Sequence, residues 1–229
     1  MAIKKRIFLI AFLITLFILG VILMIGNILN TERKNTVQDQ MKVITDLNEL
    51  QIYSLMTDVY GDKMACIAFK KKLQDWDKTL WDLGLKLESY RVASEEFQKD
   101  PFYKEQKRQF NENQVLYLMF LTKVKKECNL DQPIITFFYQ NAQDCRKCDD
   151  QSFILTDIKL DLEDEVSVFS FDMDLNITNI ELLKEYYGVE QYPCIVINEK
   201  KYCGIQDKAF IMKKICPPGG ECASSVVKI

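Results

Sequence analysis

The longest apolar stretch of the chain lies near its N-terminus, where residues 7–29 read IFLIAFLITLFILGVILMIGNIL and carry no charge. A helix that spans a bilayer needs about 20 apolar residues. The apolar part of a cleaved signal peptide usually has only about 7–15 residues and is followed by a small-residue cleavage site. Because this stretch is longer and no such site follows it, the pattern predicts an uncleaved transmembrane signal anchor in residues 1–30.

Basic residues flank the stretch on both sides, but the cluster at 4–6 contains no acid, whereas acids are interspersed at 32–42. The positive-inside rule therefore favours a cytoplasmic N-terminus. Eight cysteines and the N-I-T glycosylation sequon at 176–178 favour an oxidising compartment for the remainder. The sequence predicts a single-pass protein of the cell membrane, in contact with the bilayer through residues 7–29, with residues 31–229 extracytoplasmic.

Apolar residues recur at helical spacing through residues 31–128, which contain few glycines. Gly61 separates a first stretch from a second, and Asp100-Pro101 is typical of the start of a third. The pattern predicts a membrane-proximal helical hairpin or three-helix bundle. The second stretch carries a heptad seam over 69–90, which could pack within the chain or recruit a partner helix or a second copy. The seam residues are Phe69, Leu73, Trp76, Leu80, Leu83, Leu87 and Tyr90.

A different pattern begins after residue 130. Short runs rich in β-branched and aromatic residues alternate with helical patterns, and the predicted order is β-α-β-α-β-β-α, an α/β fold. The predicted strands are 133–139, 166–171, 193–198 and 201–204. The predicted domains are the anchor at 1–30, the helical region at 31–128, the α/β domain at 129–215 and an irregular tail at 216–229.

The composition excludes several classes of function. The 30 basic residues do not outnumber the 33 acidic ones, so nucleic acid is not an expected partner. The chain has no histidine, which excludes Ser-His-Asp and Cys-His catalysis and histidine-ligated metals. Zinc held by cysteines alone would need two closely spaced pairs, and only Cys145 and Cys148 have that spacing. The sequence therefore predicts neither a metal nor another cofactor.

Cys145 and Cys148 are separated by Arg146 and Lys147 and follow the strand pattern at 133–139. A thiolate is the nucleophile in disulfide exchange, and an ordinary cysteine has a pKa of about 8.5. At the start of a helix, unpaired N–H groups and the helix dipole favour the anion. The spacing predicts an exposed Cys145 with a lowered pKa, and a second cysteine one helical turn deeper.

The strand followed by C-x-x-C resembles the active-site region of the thioredoxin-like superfamily. The resemblance covers residues 131–215, because the Tyr-Pro at 192–193 opens the third strand pattern and Gly204 lies in the fourth. It implies a minimal thioredoxin-like fold. It also implies a thiol–disulfide oxidoreductase whose partners are protein thiols and disulfides.

Roles for particular residues follow from the same resemblance. Cys145 would exchange disulfides with the substrate, and Cys148 would resolve the mixed disulfide. A cis Pro193, together with Tyr192, would hold the substrate's cysteine-bearing strand. Thr136 stands where many members have a buried acid that moves protons, which leaves that relay without its usual carboxylate.

A second interpretation stays open on the residues alone. The C-x-x-C pair could be a structural disulfide in a non-catalytic thioredoxin-like module. The module would then serve as a scaffold, and the helical region would bind a partner. Thiol reactivity at Cys145 distinguishes the two.

The other six cysteines have structural interpretations as three candidate pairs: Cys66–Cys128, Cys194–Cys203 and Cys216–Cys222. The first pair lies on neighbouring helical stripes and could either bond or simply be buried. The second lies diagonally across a hairpin with a predicted two-residue loop at Glu199-Lys200, where a disulfide is the less favoured outcome. The third flanks a Pro-Pro-Gly-Gly turn and is the pair most favoured as a structural bridge.

Overall fold

The computed structural model of the chain divides it into two compact units, Met1–Val43 and Ile44–Ile229. In the first unit the described residues form a helix, α1, at 12–26, and its side chains are exposed. The second unit contains a helical hairpin, a small sheet and the helices that pack on the sheet. The residues that the structure describes are 12–26, 59–93, 99–141 and 144–216.

The predicted transmembrane anchor is wrong. Across the residues that the structure describes, no helix is both long enough and apolar enough to cross a membrane. At 1.5 Å per residue the described helix α1 rises about 22 Å, short of the roughly 30 Å of a hydrocarbon core. The ends of the stretch at 7–29 lie outside the described residues. The same finding contradicts the predicted single-pass membrane location with an extracytoplasmic domain.

Two long helices, α2 (Asp62–Ala93) and α3 (Pro101–Cys128), pack along each other in the second unit. The Cys66–Cys128 disulfide joins the beginning of α2 to the end of α3, so the two helices run antiparallel. Asp100 caps α3, because its carboxylate accepts a hydrogen bond from the Phe102 N–H at 2.9 Å. This antiparallel pair is called the helical hairpin below.

The heptad seam of α2 is buried inside the second unit. Its residues from Phe69 to Leu87 are between 0% and 8% exposed. Trp76, for example, meets Tyr117 of α3 edge-on, with ring centroids 6.1 Å apart. Contacts within the chain therefore occupy the face that the spacing identified.

A four-stranded sheet follows the hairpin, in the order β2-β1-β3-β4. β1 and β2 are parallel, whereas the β1–β3 and β3–β4 pairs are antiparallel. The strands are β1 (Ile134–Tyr139), β2 (Ser167–Asp172), β3 (Cys194–Ile197) and β4 (Lys200–Cys203). The helices of this segment are α4 (Arg146–Leu162), α5 (Thr178–Tyr187) and α6 (Lys208–Ile215), with short 3-10 turns at Glu163–Glu165 and Met173–Leu175.

The described chain is mostly helical, with only this small mixed sheet. α2 and α3 have 32 and 28 residues, whereas β3 and β4 have 4 each. The predicted α/β class, with a transmembrane helix ahead of the helical region, is therefore wrong for the chain. That class describes residues 129–215, whereas the long helices of the hairpin make the described chain mostly helical. Within residues 134–215 the order of elements is β-α-β-α-β-β-α, and the thioredoxin-like resemblance stays a prediction.

Alternation along the strands gives the sheet two buried faces. One face includes Ile135 and Phe137, packs against α4 and α6, and shares its apolar cluster with Cys145 and Cys148. It is called the cysteine face below. The other face includes Phe138 and packs against the helical hairpin and α5. The sheet is thus covered on both sides.

Helix α3 also closes the β2 edge of the sheet. The Oε1 atom of Gln114 accepts a hydrogen bond from the Ser170 N–H at 2.6 Å, and Oδ1 of Asn111 accepts one from the Asp172 N–H at 2.9 Å. An edge strand otherwise presents unpaired N–H groups, which are costly to bury. Two buried amide side chains of a helix here replace the missing neighbouring strand.

A buried ion pair between Asp77 and Lys159 fastens the hairpin to α4. Lys159 also donates hydrogen bonds to the carbonyl oxygens of Glu163 and Val166, at 2.5 and 2.8 Å. Burial raises the pKa of Asp77, and the Lys159 ammonium opposes that rise. The hairpin and the sheet are therefore joined by polar as well as apolar contacts.

Candidate active site

The structure joins Cys145 and Cys148 in a disulfide, with an S–S distance of 2.00 Å and a Cα–Cα distance of 5.3 Å. Cys145 is the residue that precedes α4, and Cys148 lies in its first turn. The Cys148 N–H donates to the Cys145 carbonyl oxygen at 3.0 Å. Cys145 is 8% exposed and Cys148 is 1% exposed. The expectation of an exposed Cys145 is therefore wrong, although Cys148 is the more deeply buried of the two, as expected.

The loop between β1 and Cys145 is held by one carboxylate. Oδ2 of Asp174 accepts hydrogen bonds from the backbone N–H of Asn141, at 2.7 Å, and from the Asn141 side chain. Its Oδ1 atom accepts one from Gln140 at 3.3 Å. The Asn141 carbonyl oxygen in turn accepts from the N–H groups of Asp144 and Cys145, both at 2.9 Å. Asp174 thereby fixes the approach to the cysteine pair.

Sequence reasoning missed Asp174, because it lies in the turn after β2, far along the chain from the cysteines. The parallel pairing of β1 and β2 brings the ends of the two strands together, with Tyr139 opposite Asp172. Asp174 follows Asp172 by two residues, and its N–H donates to the Asp172 carboxylate at 2.9 Å. The only signal of this contact in the sequence was the length of the Q-N-A-Q-D segment, which needs a side chain to hold it.

The Tyr192-Pro193 peptide bond is cis. β3 pairs antiparallel with β1, and Phe138 lies opposite Cys194. Pro193 therefore enters β3 at the sheet end where β1 leads toward Cys145. Pro193 is buried, and its carbonyl oxygen accepts a hydrogen bond from the Gly204 N–H at 2.8 Å. Pro193, the cysteine pair and the loop that leads to Cys145 thus share one end of the sheet. Tyr192 directly precedes the proline there.

Tyr192 contacts the apolar clusters of both sheet faces. One of these clusters contains Cys145 and Cys148. The tyrosine therefore lies at the border between the cysteine face and the hairpin face.

The hairpin contributes charges beside the cysteine pair. Arg91 of α2 forms a bidentate ion pair with Glu88, at 2.6 and 2.8 Å, and reaches within 3.8 Å of Asp149. The hydrogen bonds that Arg91 donates to the Glu88 carboxylate raise the pKa of Arg91, so the guanidinium stays charged. Asp149 directly follows Cys148, so this contact places the C-terminal part of α2 beside the start of α4. The predicted basic residues Arg146 and Lys147 are both exposed.

Thr136 does not occupy the place expected for a proton-relay residue. Ile135 and Phe137 point to the cysteine face, so the intervening Thr136 points to the opposite face of the sheet. The hydroxyl on the cysteine side is that of Tyr139, which packs against the cluster containing the pair. Burial, with a smaller contribution from Asp172, raises the pKa of Tyr139 well above its ordinary value. Sequence reasoning missed Tyr139.

The structure tests two of the three candidate disulfides among the remaining cysteines. Cys66–Cys128 and Cys194–Cys203 are both disulfides. The second forms because Asn198 and Glu199 have φ values of 46° and 69°, which is a type I′ turn and not the predicted loop one residue later. The cysteines consequently lie directly opposite each other. Cys216 follows α6, but Cys222 lies outside the described residues, so the predicted bridge between them is not tested.

No protein-family model and no curated protein matches this chain. Function has to be inferred from the site itself. Within the described residues, no cluster of three or more acidic or cysteine side chains is arranged to hold a metal ion.

Proposed function

We propose that the chain is a thiol–disulfide oxidoreductase that acts on protein cysteines through Cys145 and Cys148. The observation that carries the proposal is the Cys145–Cys148 disulfide at the start of α4, at the sheet end where Pro193 begins β3. A helix start stabilises a thiolate, and the two-residue spacing lets the second sulfur reach the first. These features support the thioredoxin-like resemblance of residues 131–215.

Disulfide exchange in this site takes two steps. In the reduced pair, the Cys145 thiolate attacks one sulfur of a substrate disulfide and expels the other sulfur as a thiolate, which takes up a proton. Cys148 loses its proton and attacks the Cys145 sulfur, which expels the second substrate thiolate. Two electrons have then passed to the substrate, and the pair ends as a disulfide. Oxidation of a substrate dithiol is the same sequence in reverse.

The difference in exposure between the two cysteine residues supports these roles. Cys145 retains 8% exposure, whereas Cys148 has 1%. A protein sulfur approaching along the line of attack therefore meets Cys145 first. Pro193 and Tyr192, at the same end of the sheet, are the residues we assign to holding the substrate strand.

A non-catalytic scaffold is the second candidate. The observation in its favour is the burial of Cys145, which leaves little surface for an incoming protein. In that case the disulfide stabilises the start of α4, and the helical hairpin carries the binding function. The two candidates differ in whether Cys145 forms a covalent bond with another protein.

A trapping experiment separates the two. Cys148→Ser removes the resolving sulfur, so substrates should accumulate as mixed disulfides on Cys145, visible as bands of higher mass that disappear on reduction. Cys145→Ser should trap none. Cys203→Ser is a matched control, because it also breaks a disulfide but frees Cys194, which is 0% exposed. The oxidoreductase proposal fails if Cys148→Ser traps no protein and the native pair has a potential below roughly −300 mV, typical of structural disulfides.

A further inference from the structure

A cavity of about 270 Å³ lies between the helical hairpin, α4 and the strands β1 and β2. Its walls include Leu80, Trp81, Phe110 and Leu155, and Cys148 is also among the lining residues. The interior is therefore mostly apolar, and it borders the second cysteine of the pair. Ligand sites are commonly apolar cavities of this kind with a few polar groups.

The entrance to the cavity is apolar as well. Leu85 of α2 and Phe153 of α4 both line it, and they are 47% and 70% exposed. Exposed apolar patches often mark binding sites, because a bound molecule removes the apolar side chains from water. The two residues mark a route from solvent.

The charged groups of the wall are already neutralised inside the protein. Each has an opposite charge at ion-pair distance, so a charged ligand would have to break a pair that exists without it. The pairs are Glu88–Arg91, Lys107–Asp172 and Asp77–Lys159, and Asp149 lies 3.8 Å from Arg91. The cavity is therefore suited to an uncharged molecule.

Several polar side chains also line the cavity. The amide oxygens of Asn111 and Gln114 already accept backbone hydrogen bonds, and two phenol hydroxyls are among the remaining polar groups. Tyr103 of α3 is 7% exposed, and both Tyr103 and Tyr139 line the cavity. Within the described residues neither hydroxyl makes a hydrogen bond. Burial is the main cause that raises the pKa of each, so both keep their protons at neutral pH. A hydroxyl that lines a cavity and makes no such bond is a donor that an acceptor oxygen can satisfy.

We propose that this cavity binds an uncharged, flat aromatic molecule of about two fused rings, whose carbonyl oxygen accepts hydrogen bonds from Tyr103 and Tyr139. An apolar cavity of about 150 Å³ holds benzene, so the larger volume here fits a second ring. The bound molecule would lie against Cys148. The proposal goes beyond disulfide exchange and does not depend on it.

The first test compares two ligands on the full chain with its disulfides intact. Calorimetric titration with 2-acetonaphthone, which has a carbonyl group, should give saturable binding with one molecule per chain. Naphthalene should bind at the same site about two- to tenfold more weakly, because it makes no hydrogen bond. The proposal is overturned if neither compound binds saturably, or if naphthalene binds as tightly as the ketone.

The second test removes the donors without changing the shape of the cavity. Tyr103→Phe and Tyr139→Phe should each reduce the advantage of the ketone over naphthalene. Naphthalene binding should stay as in the wild type. If both variants keep the full preference for the ketone, the hydroxyls do not recognise it and the assigned site is wrong.

The third test fills the cavity. Thr156 lines it from α4, so Thr156→Phe should abolish binding of both compounds. Thr122→Phe is the matched control, since Thr122 is exposed on α3 and does not line the cavity, and it should bind normally. Ser152→Phe, at an exposed lining position, provides a second filling variant if the first does not fold. Undiminished binding in a folded filling variant would overturn the proposal.

Discussion

The Cys145–Cys148 and Cys194–Cys203 disulfides both close short loops, with sequence separations of 3 and 9, but they lie in different surroundings. The first lies at the beginning of α4, after a loop held by Asp174. The second joins two antiparallel strands directly across the sheet. Reduction of the first leaves a sulfur at a helix start, where N–H groups stabilise a thiolate.

Reduction of the second disulfide offers no such stabilisation. Cys194 is 0% exposed and lies in the apolar cluster of the hairpin face, together with Phe138 and Val196. An apolar environment raises the pKa of a thiol and so keeps it unreactive. Cys145 also lies in an apolar cluster, so the expected contrast between the two disulfides rests on the place of Cys145 at the start of α4.

The largest expected effect is on stability, and it follows loop length. The chain-entropy relation predicts that a disulfide contributes about 4.3 kcal/mol to the free energy of unfolding for a separation of 62, about 2.6 for 9 and about 1.6 for 3. Paired Cys→Ala variants of Cys66–Cys128, Cys194–Cys203 and Cys145–Cys148 should lose stability in that order.

Denaturant unfolding of the three double variants measures these losses. The double variants leave no unpaired partner, so each reports one bridge. If the Cys145–Cys148 variant proved the least stable of the three, the pair would be a structural bridge. The contrast with Cys194–Cys203 would then disappear.

The sequence reveals those features that neighbouring residues determine. The C-x-x-C spacing and the helix pattern after it are local, and Cys145 does precede α4. The Asp100-Pro101 signal likewise marks the start of α3. Capping and helix periodicity act within a few residues, so a single sequence contains them.

Features that depend on contacts between distant residues could not be predicted. Asp174 holds the cysteine loop only because β1 and β2 are parallel neighbours. The Cys194–Cys203 pairing depended on a turn at Asn198 that lacks the usual glycine. The burial of Cys145 likewise depends on how helices and strands pack around it.

The next effect concerns the rate of reduction. With a limiting dithiol, the Cys145–Cys148 disulfide should be reduced at least about tenfold faster than Cys194–Cys203, because the thiolate that it releases at the start of α4 is stabilised. Alkylation of new thiols at successive times, followed by mass spectrometry of peptides, measures both rates in one sample. Equal rates, or faster reduction of the cross-strand bridge, would remove the distinction between the two environments.

The smallest expected effect concerns Tyr139, whose ring packs against the cysteine face. Burial raises the pKa of Tyr139 above the ordinary 10.0. The folded state therefore holds the phenol proton more tightly than the unfolded state does. The stability that this proton contributes is fully present below pH 10 and is lost as the pH rises above it.

Tyr139→Phe removes this titration, so its free energy of unfolding should fall less steeply than that of the wild type between pH 9 and 10.5. Tyr186→Phe is the matched control, because Tyr186 is 74% exposed and its substitution should leave the slope unchanged. Denaturant unfolding at each pH gives the two slopes. If wild type and Tyr139→Phe lost stability in parallel, the Tyr139 hydroxyl would be in contact with water in the folded protein.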